Sequence, residues 1–136
     1  GVQTCALPIY PLQESGQLQF IERSGNFVKE AFPGIDILFV DGHTESMMIP
    51  HIHYQGKTIV FMADLLPSTG HIPLPYVMGY DTRPLLTLAE KGQFLQQAAD
   101  QQFVLFFEHD AYTECCTLQH TEKGVRLDQR FAFSER

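Results

Sequence analysis

"PGIDILFVDGHT", residues 33–44, is the stretch on which the reading of this chain turns. Pro33-Gly34 marks a turn. Ile35–Val40 is apolar at five of six positions, so it suits a central strand buried on both faces. Asp41-Gly42 ends the run, and His43 follows at once. Two later stretches repeat the pattern. Thr58–Ala63 ends in Asp64, and Phe103–Phe107 ends in Glu108-His109-Asp110. Strand ends are where rigid elements aim side chains into a shared cleft. Two imidazoles and one carboxylate are good donors for zinc and similar ions.

The rest of the chain reads as mixed α and β. "QLQFIE" (17–22) alternates and predicts a strand ahead of the "RSGN" turn. "SMMIPHIHY" predicts a strand in which Pro50 marks an edge or a bulge. Gln55-Gly56 then turns the chain into "KTIVFMAD", which makes the two a hairpin. A long loop, "LLPSTGHIPLPYVMGYDTRP", leads to Thr87-Leu-Ala-Glu90, which has the form of a capping box. Leu88, Leu95, Ala98 and Ala99 predict a helix over about 88–101. "CCTLQHTEKGVRLDQRFAF" predicts a closing hairpin that turns at Lys123-Gly124.

His51 and His53, in "IPHIHYQGKT", form the most eye-catching metal-like pair, since residues two apart on a strand share a face. We read both as strand residues, solvated or packed against a neighbour, pointing away from the site. Cys115 and Cys116 read as small buried residues. The loop 68–81 holds His71, Tyr76, Met78 and Tyr80, whose aromatic and soft character suits a small organic substrate.

The 136 residues fit one domain or part of one. With 44% hydrophobic and 18% charged residues, the composition is that of a globular chain. A net charge of −7 leaves no electrostatic footprint for a nucleic-acid backbone. No apolar run approaches the roughly 20 residues of a membrane span. The three cysteines show no disulfide framework, so a reducing cytoplasm is the expected location. Residues 1–9, "GVQTCALPI", resemble the in-frame translation of a common sequencing adaptor and read as a non-native leader. The domain proper is then 10–136, the C-terminal part of a longer protein.

Taken together, "DGHTESMM", "IVFMADLLPS" and "LFFEHD" resemble, in order and separation, the later motifs of the metallo-β-lactamase fold superfamily. The resemblance covers residues 18 to about 133. It implies an α/β (α+β) fold, half of a four-layer αββα sandwich with a mixed sheet and outer helices. It also implies a hydrolase that uses two divalent ions, zinc or else iron or manganese, to activate a hydroxide against an ester, lactone, thioester or phosphodiester. His43 would bind the first ion, Asp64 would bridge both as the catalytic carboxylate, and His109 would bind the second. Glu108 or Asp110 would orient a ligand imidazole or serve as a surface or capping group. His71, Tyr76 and Tyr80 would contact a small-molecule substrate. Relatives often follow the "GHT" with Pro-Gly or Ser-Gly, where this chain has Glu45-Ser46. The superfamily's His-x-His-x-Asp-His motif is absent, and His51-Ile-His53-Tyr-Gln55-Gly56 does not supply it. The chain by itself is therefore expected to be a poor hydrolase and to bare an apolar sheet face. A cupin-like barrel or a metal-free binding module is the alternative.

Overall fold

Two-residue turns set the register of the sheet's first half. In the computed structural model, which describes residues 9–135, Pro33-Gly34 joins β1 (Phe27–Phe32) to β2 (Ile35–Val40). Gly34 takes φ 75°, which a Pro-Gly turn requires of its second residue. Gln55-Gly56 joins β3 (Met47–Tyr54) to β4 (Lys57–Phe61), with φ 49° and 75°, the primed turn that matches strand twist. A loop with one 3₁₀ turn (Thr69–His71) leads to helix α2 (Pro84–Asp100), and a short α1 spans Tyr10–Glu14. β5 (Val104–Phe106) follows, then the hairpin of β6 (Cys115–Thr121) and β7 (Gly124–Phe131).

The seven strands form one sheet in chain order. All neighbours are antiparallel except β4 and β5, which pair in parallel across the α2 crossover. β3 runs against both β2 and β4, so β2, β4 and β5 all point the same way. Their C-terminal ends therefore share one edge of the sheet, as the three apolar runs predict.

Alternation separates the two faces. Leu38 stands beside Ile49, and one register step along the same face His51, Val60, Leu105 and Cys116 lie side by side across β3 to β6. Helix α2 covers that face with Phe94, Leu95, Ala98 and Ala99, and Leu65, Leu66 and Ile72 from the loop complete the core. Burial of one such leucine stabilises by roughly 1.5–3 kcal/mol. The opposite face carries Ile59, Val104 and Cys115 with Phe106 and Phe131 packed on them. Among the described residues no α-helix covers it, and Ile52, Tyr54, Ile59, Phe106 and Phe133 line an apolar hollow of about 340 Å³ there. This is the bare face that the sequence leads one to expect.

Several local expectations are corrected. Residues 17–22 form no strand, and Phe20 is exposed; β1 lies at Phe27–Phe32, where the Pro-Gly turn gives it a partner. Pro50 sits in an inner strand with no bulge. Its missing N–H faces β4, whose ladder with β3 begins only at His51. The last hairpin turns at Glu122-Lys123, with Gly124 already in β7. Helix α2 begins at Pro84 rather than near 88, and Thr87–Glu90 makes no capping box because Glu90 bonds elsewhere. An open sheet with a helical crossover is not a cupin barrel. Of the expected leader, residues 1–9, all but the exposed Ile9 lie outside the described residues.

Candidate functional site

The loop after β2 is held from three sides. Glu90 accepts the backbone N–H of Asp41 at 2.8 Å and that of Gly42 at 3.0 Å, tying the loop to helix α2. Gly42 is pressed against the first turn of that helix, where a Cβ would collide with the Thr87 backbone. Asp41 accepts the Ser46 N–H at 2.8 Å and takes a two-pronged pair from Arg23, each prong 2.8 Å. Those bonds hold the Asp41 carboxyl well below the usual carboxylate range. Ser46 takes φ 56°, in the left-handed region that glycine adopts most easily. From the third side, Arg83 N–H donates to Gly42 O at 2.8 Å, and the Thr82 hydroxyl donates to His43 O at 2.9 Å.

Asp64 is aimed by a tight turn. Leu65 N–H returns to Met62 O at 3.2 Å, and Ala63 takes φ 41°, a left-handed conformation rare for a residue with a Cβ. Strain of this kind, of order 1–3 kcal/mol, is characteristic of functional sites. His109 leaves β5 through a loop that Asp110 organises. Asp110 accepts the N–H and hydroxyl of Thr69 and the N–H groups of Tyr112 and Thr113. These bonds overcome the effect of burial and lower its pKa. Asp110 thus pins the 3₁₀ turn to the His109 loop, and Glu108 faces solvent.

Asp64 stands between two imidazoles. Its Oδ2 is 3.4 Å from His43 Nε2, and its Oδ1 is 3.3 Å from His109 Nε2. The other nitrogen of His43, Nδ1, is 2.9 Å from Asp81 Oδ1. The three residues singled out in the sequence therefore converge at one sheet edge. Among the described residues, no three His, Cys, Asp or Glu side chains surround a single point as ligands of one ion. The arrangement is one carboxylate with a different imidazole on each oxygen.

His51 and His53 lie elsewhere. His51 is 2% exposed on the helix-covered face, its ring edge-on to Phe27, Phe94 and Phe103, with Nδ1 3.0 Å from Ile49 O. Burial lowers its pKa. His53 pairs with Asp36 at 3.0 Å. His71 Nδ1 bonds the Ser68 hydroxyl at 2.8 Å, while Tyr76 and Tyr80 project into solvent. Both cysteines of β6 are free and buried, and burial pushes the Cys116 thiol up to about 12. Two residues escaped the sequence reading. One is Asp81, whose side chain is fully buried at the site. The other is Lys91, 0% exposed, whose Nζ donates to His71 O at 3.0 Å and to Tyr76 O. A lysine in register with Thr87, Phe94, Leu95 and Ala98 was the available signal for the second.

No protein-family model and no curated protein matches the chain. Solved structures do. A probable metal-dependent hydrolase from Staphylococcus aureus aligns with TM-score 0.71 and 26% identity, over 86% of this chain and 40% of that one. The hydrolase AbOPH, of the beta lactamase superfamily, aligns with TM-score 0.79 and 16% identity, over 96% and 45%. The fold is that of the metallo-β-lactamase superfamily. AidC, a dizinc quorum-quenching lactonase, shares this fold with TM-score 0.71 and 21% identity, over 87% of this chain and 40% of that one. The chain thus spans less than half the length of each of these three proteins.

The donor set fits the ions that this fold implies. Two ligands of one tetrahedral zinc, each about 2.0–2.1 Å from it, stand about 3.3–3.4 Å apart. The separations of Asp64 from His43 and from His109 match that spacing, at 3.4 and 3.3 Å. Each pair offers two of the four ligands that a closed site would need.

Proposed function

We propose that this chain carries part of the catalytic site of a metal-dependent hydrolase, with two divalent ions, zinc by preference, and a small-molecule ester, lactone or thioester as substrate, or else a phosphodiester. The observation that carries the reading is the position of Asp64, one carboxylate oxygen toward each of two imidazoles. His43 and Asp64 would hold one ion, and Asp64 and His109 the other. When bound, such a pair supplies Lewis acidity and makes a water nucleophilic near neutral pH.

The chain's own residues fix where this happens. Glu90, Arg83 and Thr82 hold the His43 loop against the helix, and Asp110 holds the His109 loop. The 3₁₀ turn with His71 borders the site through Asp110, so the 68–81 loop is the natural substrate wall, with Tyr76 and Tyr80 free to close on a ligand. The dizinc lactonase among the similar structures supports a lactone as first choice.

Three ligands are too few to complete two sites, so the chain alone should bind metal weakly and hydrolyse poorly. The test is zinc titration of the 136-residue chain and of the chain extended upstream with its parent gene. Both are then assayed on acyl-homoserine lactone, thioester and phosphodiester substrates. The expected result is weak binding lost in Asp64→Ala, and turnover only in the extended protein. An extended protein that folds but binds no zinc would overturn the reading.

A further inference from the structure

Asp81 carries an unusual burden for a loop residue. Its side chain is 0% exposed. One oxygen meets His43 Nδ1 at 2.9 Å, and the other, Oδ2, is buried with no hydrogen-bond partner. A buried carboxylate with an idle oxygen is costly unless its charge is compensated nearby. An ionised carboxylate only accepts hydrogen bonds, so the 2.9 Å contact with Asp81 favours the proton on His43 Nδ1. In the neutral ring Nε2, the nitrogen that faces Asp64, then keeps its lone pair.

We propose that Asp81 is the positioning residue for His43, fixing its ring and its Nδ1–H tautomer so that Nε2 is offered to a metal ion. The inference rests on the proposed function and deepens it. Lys91 supports the arrangement. Buried within the core, it ties the carbonyls of His71 and Tyr76 to helix α2, and these belong to the loop that delivers Asp81. Its charge also interacts favourably with Asp81. The Thr82 hydroxyl, one residue on, bonds His43 O, so backbone and ring of His43 are gripped from the same segment. A partner on the far ring nitrogen is what a ligating histidine needs to be a better donor, and loss of such partners weakens metal binding.

The test uses the 136-residue chain with ¹⁵N-labelled histidine. Long-range ¹H–¹⁵N correlations of the metal-free protein report the His43 tautomer, with His43→Ala to assign the signal. Zinc titrations then compare wild type, Asp81→Asn and Asp81→Ala. The expected result is an Nδ1–H tautomer in wild type that is lost in Asp81→Ala, with zinc affinity about 10–100-fold weaker. Asp81→Asn keeps the volume and one acceptor oxygen and should fall between the two, and it carries the comparison if Asp81→Ala does not fold. A purely structural role would lower the melting temperature without moving the tautomer. An Nε2–H tautomer in wild type, or affinity within twofold of wild type in the folded variants, overturns the proposal. If His43→Ala leaves zinc binding unchanged, the metal site is wrong instead, and the tautomer measurement still decides whether Asp81 sets the ring.

Discussion

His51 and His43 make the sharpest contrast in the molecule. In the sequence His51 looks the better metal ligand, because His53 stands two residues away on the same strand. In the fold His51 is sealed under helix α2 between three phenylalanine rings, its Nδ1 beside its own strand's backbone at Ile49 O. His43 lies three residues past the end of β2, where its ring meets Asp64 on one side and Asp81 on the other. A histidine within a strand inherits the environment of one sheet face, and here that face is packed core. A histidine beyond a strand end reaches the edge where loops from several strands meet. Position relative to the strand end, not spacing between histidines, separates a core residue from a candidate ligand.

The largest expected effect tests that contrast directly. Asp64→Ala removes the carboxylate shared by His43 and His109 and should abolish measurable zinc binding by calorimetry, with little change in melting temperature. His51→Ala should do the reverse. It leaves zinc affinity in place but opens a cavity among Phe27, Phe94 and Phe103, at about 2–5 kcal/mol of stability in urea denaturation. Zinc binding lost in a folded His51→Ala protein would erase the distinction.

A second variant acts at the joint between site and core. Gly42→Ala forces a methyl group into the Thr87 backbone, so the His43 loop must lift from helix α2. Overpacking of this kind costs about 1–3 kcal/mol. Because Glu90 grips the two amides beside it, the displacement should reach His43 and weaken zinc binding as well. A variant with wild-type stability and affinity would show that the loop is not held as described.

The parts of this molecule that could be read in advance are those whose signal is local. β2, β4 and β5 were legible because each is an apolar run cut off by a polar residue, and the same cut-off exposed His43, Asp64 and His109. The hairpin turn at Gln55-Gly56 was legible because φ above zero has a short residue menu. "QLQFIE" misled because alternation describes a strand only if a partner is available, and the Pro33-Gly34 turn gives that partner to residues 27–32 instead. Thr87 and Glu90 misled for a related reason. Helix propensity cannot register that Glu90 has the amides of Asp41 and Gly42 within reach, 49 and 48 positions away in the chain. Asp81 was invisible for the same reason, since its partner is separated by 38 positions.

The smallest effect concerns acid and the two strand histidines. Desolvation places the pKa of buried His51 below its ordinary value. The unfolded chain, with an imidazole near 6.5, therefore takes up a proton before the folded one does. The stability this residue contributes is complete above about pH 6.5 and is lost as pH falls from there toward the folded-state pKa. His71 is shifted the same way by burial and by Lys91, so the His51 share is the difference between wild type and His51→Leu. Asp36, Asp41 and Asp110 are shifted down and act in a lower window, below about pH 4. Urea midpoints at pH 7 and 5.5 should then fall less in His51→Leu than in wild type. His53 offers the control from the same strand. Its side chain is 45% exposed, and Asp36 keeps the Glu30 N–H at 2.8 Å without it. His53→Ala should change stability at pH 7 by no more than about 0.5 kcal/mol. An equal pH response in wild type and His51→Leu would mean that His51 is hydrated in solution, and the sealed half of the comparison would fail.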